Sequence, residues 1–371
     1  MKIVFINTTY KSGSTGRIVY QLEQEELKNG NQPFVAYGRN CDIEDETHFK
    51  IGNKFEMGCH LLKTRFSDLH GLGSKKSTRK LIQWIDSIKP DIVHLHNLHG
   101  YYLNYPILFE YLITQKIKVR WTLHDCWAFT GHCSHYDYIQ CEKWKTGCYT
   151  CKQKKEYPKS LILDNSKKNY GLKKELFSKL SHCEIIVPSN WLKGEVEKSF
   201  LKKYSVTLRY NSVDSKVFNG KRGSFRNLYK LEDKFVILGV ASVWTERKGL
   251  KYFFDLGLKL DDRYQIVLVG LNKKQLKQLP KGIIGIERTE NITQLAEIYA
   301  ESDVFFNPTL EDNYPTTNLE AVASNISVIT FNSGGSPETL EGYSKGYVVE
   351  KADMKRVLDI IDMLKNTVCI E

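Results

Sequence analysis

The chain has 371 residues, 41% of them apolar and 26% charged, which excludes a fibrous or disordered protein and fits a globular one of two domains. No run approaches the roughly 18 apolar residues of a membrane span, and the opening MKIVFINTTY is a short strand pattern without a signal-peptide cleavage site, so a cytoplasmic protein is expected. Net charge is +11; residues 1–190 hold 28 Lys and Arg against 19 Asp and Glu, and 191–371 hold 26 against 24. That bias points the first half at an anionic partner, whether a membrane surface, a diphosphate-bearing acceptor or nucleic acid, or marks a merely solvated basic face.

In chain order, KIVFIN (2–7) reads as a strand, TTYKSGSTGR as a glycine- and hydroxyl-rich turn, and 17–28 as a helix ended by Gly30-Asn31. QPFVAYG is the second strand of this βαβ unit. The turn matches neither the dinucleotide fingerprint nor the P-loop. Residues 40–80 are mixed and basic, without a clear period. A helix near 77–88 leads to DIVHLHN (91–97), then a loop and helix, then KVRWTLHD (118–125). Residues 126–158 are irregular, aromatic and rich in cysteine, as an insertion on the frame. Helices near 166–180, CEIIVPSN (183–190), a helix at 191–200, KFVILGVAS (234–242), YQIVLVG (264–270), IIGIER, a helix at 291–301, DVFFNP and a last helix near 353–366 complete the alternation. It predicts an α/β protein of two doubly wound, mostly parallel domains, whose ligands bind beyond the strands' carboxyl ends in a shared cleft. The expected divisions are 1–195 with the insertion, 196–350, and a C-terminal helix 351–371 packing back on the first domain.

Three clusters of the first domain fall at strand ends: Ser12 to Arg17, then His94, His96, Asn97 and His99, then His124-Asp125. A histidine there can contact a ligand or accept a proton, or be a satisfied core residue; His94 best fits the structural role. In the second domain Arg247 and Lys248 follow a strand and can neutralise a diphosphate. The stretch 307–338 reads as strand, polar turn, helix, strand and glycine turn. Asp312 lies in its loop and Glu320 in its helix. Asn313, Tyr314, Pro315, Thr316, Thr317 and Asn318 between them offer backbone N–H groups at a helix N-terminus, a seat for phosphate. A carboxylate deeper in that helix can accept two hydroxyl hydrogen bonds from a ribose. Gly334-Gly335 lets backbone approach a ligand closely. A plain capped helix is the alternative.

Nine cysteines include five within 126–151. Cys133, Cys141, Cys148 and Cys151, ending in CxxC, fit a closed structural zinc site, with His132 and His135 as substitutes; free thiols and disulfides stay open.

These motifs taken in order, GSTGR (13–17), PDIVHLHN (90–97), WTLHDCWAFTGHC (121–133), VPSNW (187–191), NSVDSKVF (211–218), SVWTERKG (242–249) and EDNYPTTNLEA (311–321), resemble glycosyltransferase family 4. These are retaining, sugar-nucleotide-dependent enzymes of the GT-B fold, two Rossmann-like domains facing across a cleft. The resemblance is closest to enzymes of bacterial exopolysaccharide, colanic-acid and capsule synthesis. It implies that Glu320 holds the donor ribose and that Asp312, where a glutamate is usual, faces the donor sugar. It makes Lys248 the diphosphate lysine, sets His124 on the transferred sugar, and lays the turn Gly13, Ser14, Thr15 and Gly16 beneath the diphosphate. Ser242 stands where the family has an arginine. Arg247 is a candidate replacement whose neighbouring position points it elsewhere.

The implied reaction moves a hexose from a nucleoside-diphosphate sugar to an acceptor hydroxyl with retention. It needs no protein nucleophile and no catalytic metal; the work is positioning and stabilisation of the leaving diphosphate. The acceptor, a saccharide or lipid-linked saccharide, is expected near Asn97, His99, Tyr101 and Tyr102, with attachment to the inner face of an anionic membrane. Two rivals are a sugar-nucleotide 2-epimerase of the same fold and a zinc-containing nucleic-acid-binding protein using Trp127, Tyr136, Tyr138 and Trp144. The second leaves the 307–338 pattern unexplained, so no nucleic-acid partner is expected.

Overall fold

The structure is a computed structural model and describes residues 1–368; Cys369 lies outside them. It divides into two compact units, Met1–Tyr210 and Asn211 onward, later than the break expected after residue 195. The reason is a short strand, Ser205–Leu208, that hydrogen-bonds to the first sheet.

The first unit runs β1 (Lys2–Thr9), α1 (Gly13–Lys28), β2 (Gln32–Arg39), β3 (His48–Lys50), α2 (Lys54–Ser67), α3 (Lys75–Ile88), β4 (Ile92–Leu95), α4 (Tyr105–Gln115), β5 (Lys118–Thr122), α5 (Ser166–Phe177), β6 (Cys183–Val187), α6 (Asn190–Lys198) and β7 (Ser205–Leu208). All seven strands are parallel, in the order β3-β2-β1-β4-β5-β6-β7. Helices cover both faces, so the strands are near-continuous apolar runs. Side chains alternate across the sheet: Val4 and Ile6 enter one buried cluster, Ile3 and Phe5 the other.

The second unit runs α7 (Phe225–Tyr229), β8 (Phe235–Val240), α8 (Leu250–Gly257), β9 (Tyr264–Val269), α9 (Lys273–Lys277), β10 (Ile283–Ile286), α10 (Ile292–Ala300), β11 (Val304–Asn307), α11 (Thr316–Ala323), β12 (Ser327–Phe331), β13 (Gly346–Val349) and α12 (Met354–Val368). Its parallel sheet has the order β10-β9-β8-β11-β12-β13. This is the Rossmann order, with its topological switch between β8 and β11. Ile237 and Leu268 face one cluster, Val236 and Leu238 the other. Helix α12 buries Val357, Ile360 and Ile361 in this unit's own core, and Tyr264 donates to Asp362 at 2.6 Å. The last helix thus packs on its own sheet. Among the described residues no helix is long and apolar enough to cross a membrane.

Candidate active site

At the switch point, the loop after β8 meets the loop after β11. Arg247 and Lys248 lie in a 3-10 turn, Glu246–Lys248. Lys248 donates an ammonium hydrogen to Asp312 Oδ2. Arg247 Nη1 stands 3.9 Å from the same oxygen and donates to the Glu311 carbonyl. Leu310 N donates back to the Arg247 carbonyl at 2.8 Å. Gly249 makes this approach possible: its φ is +76°, and a Cβ there would stand 2.2 Å from the Pro308 carbonyl oxygen. Sequence reasoning sent Arg247 away from Lys248. The tight turn and the left-handed glycine press the backbone against residues 308–312, within reach of both long side chains. Ser242 is exposed. Burial lowers the Lys248 pKa, Asp312 opposes that, and Arg247 adds to it. Two cations share one carboxylate, which leaves one positive charge in excess among the three.

Helix α11 begins behind Pro315 with no side-chain cap, so its first-turn N–H groups keep the donor character of a phosphate seat. Thr316 and Thr317 there are half-buried; Asn313 and Tyr314 are buried. Asn318 does a different job. Its amide N donates to the Pro315 carbonyl at 3.1 Å. Its side chain accepts from Asn307 Nδ2 at 2.7 Å and donates to Thr339 Oγ1 at 2.8 Å. It pins the loop from within. Glu320 is buried, and its Oε2 accepts from Tyr299 Oη at 3.1 Å. The glycine turn grips Asp312 itself. Gly335 N donates to the Asp312 carbonyl at 3.0 Å. A Cβ on Gly334 (φ +54°) would lie 2.0 Å from that oxygen.

In the first unit, the turn after β1 carries Gly13 at φ +66° with open space around it, and Gly16 close against Thr9. Gly13 and Ser14 are exposed and Thr15 half-buried. His94 is a core residue, its Nε2 2.8 Å from Thr122 Oγ1, and burial pushes its pKa down to about 3. His96 Nδ1 and His124 Nε2 share a hydrogen at 3.0 Å with their rings stacked. Burial lowers both, His124 to about 4, so the pair is neutral near pH 7 and acts by hydrogen bonding. His99 Nε2 lies 2.7 Å from Asp125 Oδ2, and its Nδ1 2.9 Å from Tyr157 Oη. Burial works to raise the Asp125 pKa, but the His99 imidazole and the Trp127 N–H hold it at about 2. His96, Asn97, His99, His124 and Asp125 line one small cavity. Tyr102 is fully buried and donates to the Asn97 carbonyl at 2.7 Å. Tyr101 is also buried, edge-on to His70. These two tyrosines support the loop from behind. Tyr157, at the end of the insertion, escaped sequence reasoning; an aromatic before a proline was its only signal.

The insertion packs aromatic side chains and thiols against the core of the first unit. Phe129 and Tyr136 pack their rings at a tilt against Trp144. Fully buried Lys173 donates to the carbonyls of Trp127 at 2.6 Å and Thr130 at 3.0 Å. Gly131 N donates to Cys148 Sγ at 3.1 Å. Burial pushes the Cys148 thiol up to about 11. The Cys133 thiol beside Cys151 lowers Cys151 to about 7. Among the described residues no three His, Cys, Asp or Glu side chains are placed to hold a metal; the closed Cys133, Cys141, Cys148, Cys151 site stays an expectation of the spacing. The thiols pack as small, partly buried groups against the core.

Two such Rossmann-like units, each with its loops at the strands' carboxyl ends, make up the GT-B fold. Residues 234–366 match the model of the family described as glycosyl transferases group 1. The chain is 36% identical over 107 residues to the putative colanic acid biosynthesis glycosyl transferase WcaC of Escherichia coli; the match covers 27% of this chain and 26% of that relative, so it spans about a quarter of the relative's length. Sucrose-phosphate synthase from Thermosynechococcus elongatus superposes with a TM-score of 0.70 at 13% identity, over 99% of this chain and 90% of the other. Anabaena Alr3699/HepE in complex with UDP gives 0.66 at 13% identity, over 99% and 91%. At these identities the two structures speak for the fold alone.

Proposed function

We propose that this chain is a retaining, metal-independent glycosyltransferase. It moves a hexose from a nucleoside-diphosphate sugar to a hydroxyl of a saccharide or lipid-linked acceptor in bacterial cell-surface polysaccharide synthesis. The observation that carries the reading is the convergence of Arg247 and Lys248 on Asp312 beside the uncapped start of α11, with Glu320 buried in that helix. It lies within the residues that match the family. Other support is the likeness to WcaC, whose name assigns it to colanic acid biosynthesis.

In this reading Lys248, Arg247 and the first-turn amides of α11 take the diphosphate, supplying the charge that a divalent metal supplies elsewhere. Glu320 holds the ribose hydroxyls and Asp312 the donor sugar. Neutral His124 hydrogen-bonds the transferred sugar, and the turn Gly13 to Gly16 adds backbone donors to the diphosphate. Asn97 and His99 orient the acceptor. The bond from the anomeric carbon to the diphosphate oxygen breaks, and the acceptor oxygen bonds to that carbon on the same face. The acceptor's proton goes to the departing phosphate oxygen. No side chain need become covalently attached.

The test is nucleoside-diphosphate release from a panel of sugar nucleotides with a polysaccharide-precursor acceptor, with and without a chelator, and proton NMR of the product's anomeric centre. Retained configuration and chelator-insensitive release are expected. An inverted product, or activity abolished by the chelator and restored by a divalent cation, overturns those parts of the reading.

A further inference from the structure

Helix α2 turns an apolar face outward. Phe55, Leu62 and Phe66 are 79%, 57% and 51% exposed, and Cys59 is exposed between them. At about 100° per residue these four positions fall within an arc of about 60°. The opposite side carries buried His60 and Thr64. A second apolar ridge lies against the end of this helix. Leu161, Ile162 and Leu163 are 51%, 59% and 51% exposed. Leu161 N donates to the Arg65 carbonyl at 2.7 Å and Leu163 N to the Phe66 carbonyl at 3.1 Å. The two ridges therefore form one continuous patch.

Its rim is cationic. On the helix, Lys63 flanks one edge of the stripe, and Lys54 and Arg65 the other. Segments 54–67 and 152–168 together hold nine Lys and Arg against three Asp and Glu. Two of those three carboxylates are engaged locally, Glu56 by Ser77 and Asp164 by the Cys151 and Ser166 amides. Lys154 donates to the Ile162 carbonyl at 3.0 Å.

An apolar stripe with cations on both edges is the pattern of a helix lying in the plane of a membrane surface. We propose that this face of the first unit seats on an anionic phospholipid bilayer, with Phe55, Leu62, Phe66 and Leu161–Leu163 in the headgroup boundary and the surrounding lysines among the phosphates. A second copy of the chain fits poorly, because a symmetric contact would set the cations of one rim against those of the other. The inference deepens the proposed function by giving the lipid-linked acceptor reading a docking surface, and it stands on geometry independent of the donor residues.

The test is co-sedimentation of the full chain with vesicles of phosphatidylcholine alone and of phosphatidylcholine with phosphatidylglycerol. Binding to the mixed vesicles is expected at about tenfold or more over the neutral ones, weakening with salt. The triple variant Phe55→Ser, Leu62→Ser, Phe66→Ser should lose about tenfold or more in partitioning at an unchanged melting midpoint. The double variant Leu161→Ser, Ile162→Ser provides the same readout without touching the helix. Absent binding, equal binding to both vesicle types, or both variants binding as wild type overturns the proposal; so does a stripe-dependent dimer that ignores vesicles. A nucleoside-diphosphate thermal shift on the same samples reads the donor site separately. A shift without vesicle binding sinks only this inference, and vesicle binding without a shift sinks only the donor reading.

Discussion

Arg247 Nη1 stands 3.9 Å from the Asp312 oxygen that also takes the Lys248 ammonium. Two neighbours in sequence thus act on one point, five and six residues after the exposed Ser242. A charge-assisted hydrogen bond contributes about 1.5–3 kcal/mol, so Arg247→Ala should weaken nucleoside-diphosphate binding about tenfold or more by calorimetry. Ser242→Ala should change it less than about twofold, as expected for an exposed side chain remote from a named mechanism. Equal effects of the two substitutions would remove Arg247 from the site.

The glycine turn is a structural clamp on the same carboxylate residue. Gly334 sits at φ +54°, where a Cβ would lie 2.0 Å from the Asp312 carbonyl oxygen. Gly334→Ala therefore meets both a left-handed backbone and a collision, and should cost about 2 kcal/mol or more by denaturant unfolding. Gly342, at φ +76° with nothing near its Cβ position, is the control. Gly342→Ala should cost only about 1 kcal/mol. A reversed order would contradict the clamp.

Buried histidines set the acid side of the stability profile. Burial lowers His60 to about 4 and His94 to about 3, whereas unfolded histidine titrates near 6.5. Between those values the unfolded chain binds protons that the folded chain does not. Stability therefore rises with pH through this window, and falls as pH drops from about 6.5 towards 4. The slope is about 1.4 kcal/mol per pH unit for each such histidine in mid-window. His94→Gln should flatten the pH dependence of unfolding by about one proton, read from denaturation series between those limits. An unchanged slope would mean His94 protonates in the folded state.

Tyr157 hydrogen-bonds His99, which is bonded in turn to Asp125. If this chain orients the acceptor, Tyr157→Phe should raise the acceptor KM about fivefold, the worth of about one hydrogen bond. Nucleoside-diphosphate affinity should stay within about twofold. A matching loss of nucleotide affinity would place Tyr157 in general stability instead.

Much of this architecture is legible in the chain. KIVFIN, DIVHLHN and YQIVLVG are apolar runs because parallel strands are covered on both faces, and their positions hold. Residues 40–80 were opaque because α2 inverts the usual amphipathic pattern: Phe55, Leu62 and Phe66 face outward, and β3 has only three residues. The unit boundary shifted because Ser205–Leu208 is a half-exposed edge strand with a weak apolar signal. Asp312 and Glu320 could be read from their loop and helix. Arg247 is legible as a cation beside Lys248, but the reach of its side chain is not, because a 3-10 turn and a left-handed glycine decide it. Tyr157 was invisible because its contact with His99 spans 58 residues of sequence. The cysteine spacing suits a metal or packed thiols equally, and the thiols pack against the first unit's core.

The central claim is that the corner of Arg247, Lys248, Asp312, Glu320 and α11 binds a nucleoside diphosphate. The most direct measurement is a thermal-shift titration of the full chain with uridine, guanosine, adenosine, cytidine and thymidine diphosphates. One of them should raise the melting midpoint by several degrees at saturation, since a ligand at about 100 times its Kd stabilises by about 2.7 kcal/mol. Glu320→Gln should suppress that rise. No shift with any of the five, or a full shift in Glu320→Gln, would contradict the account.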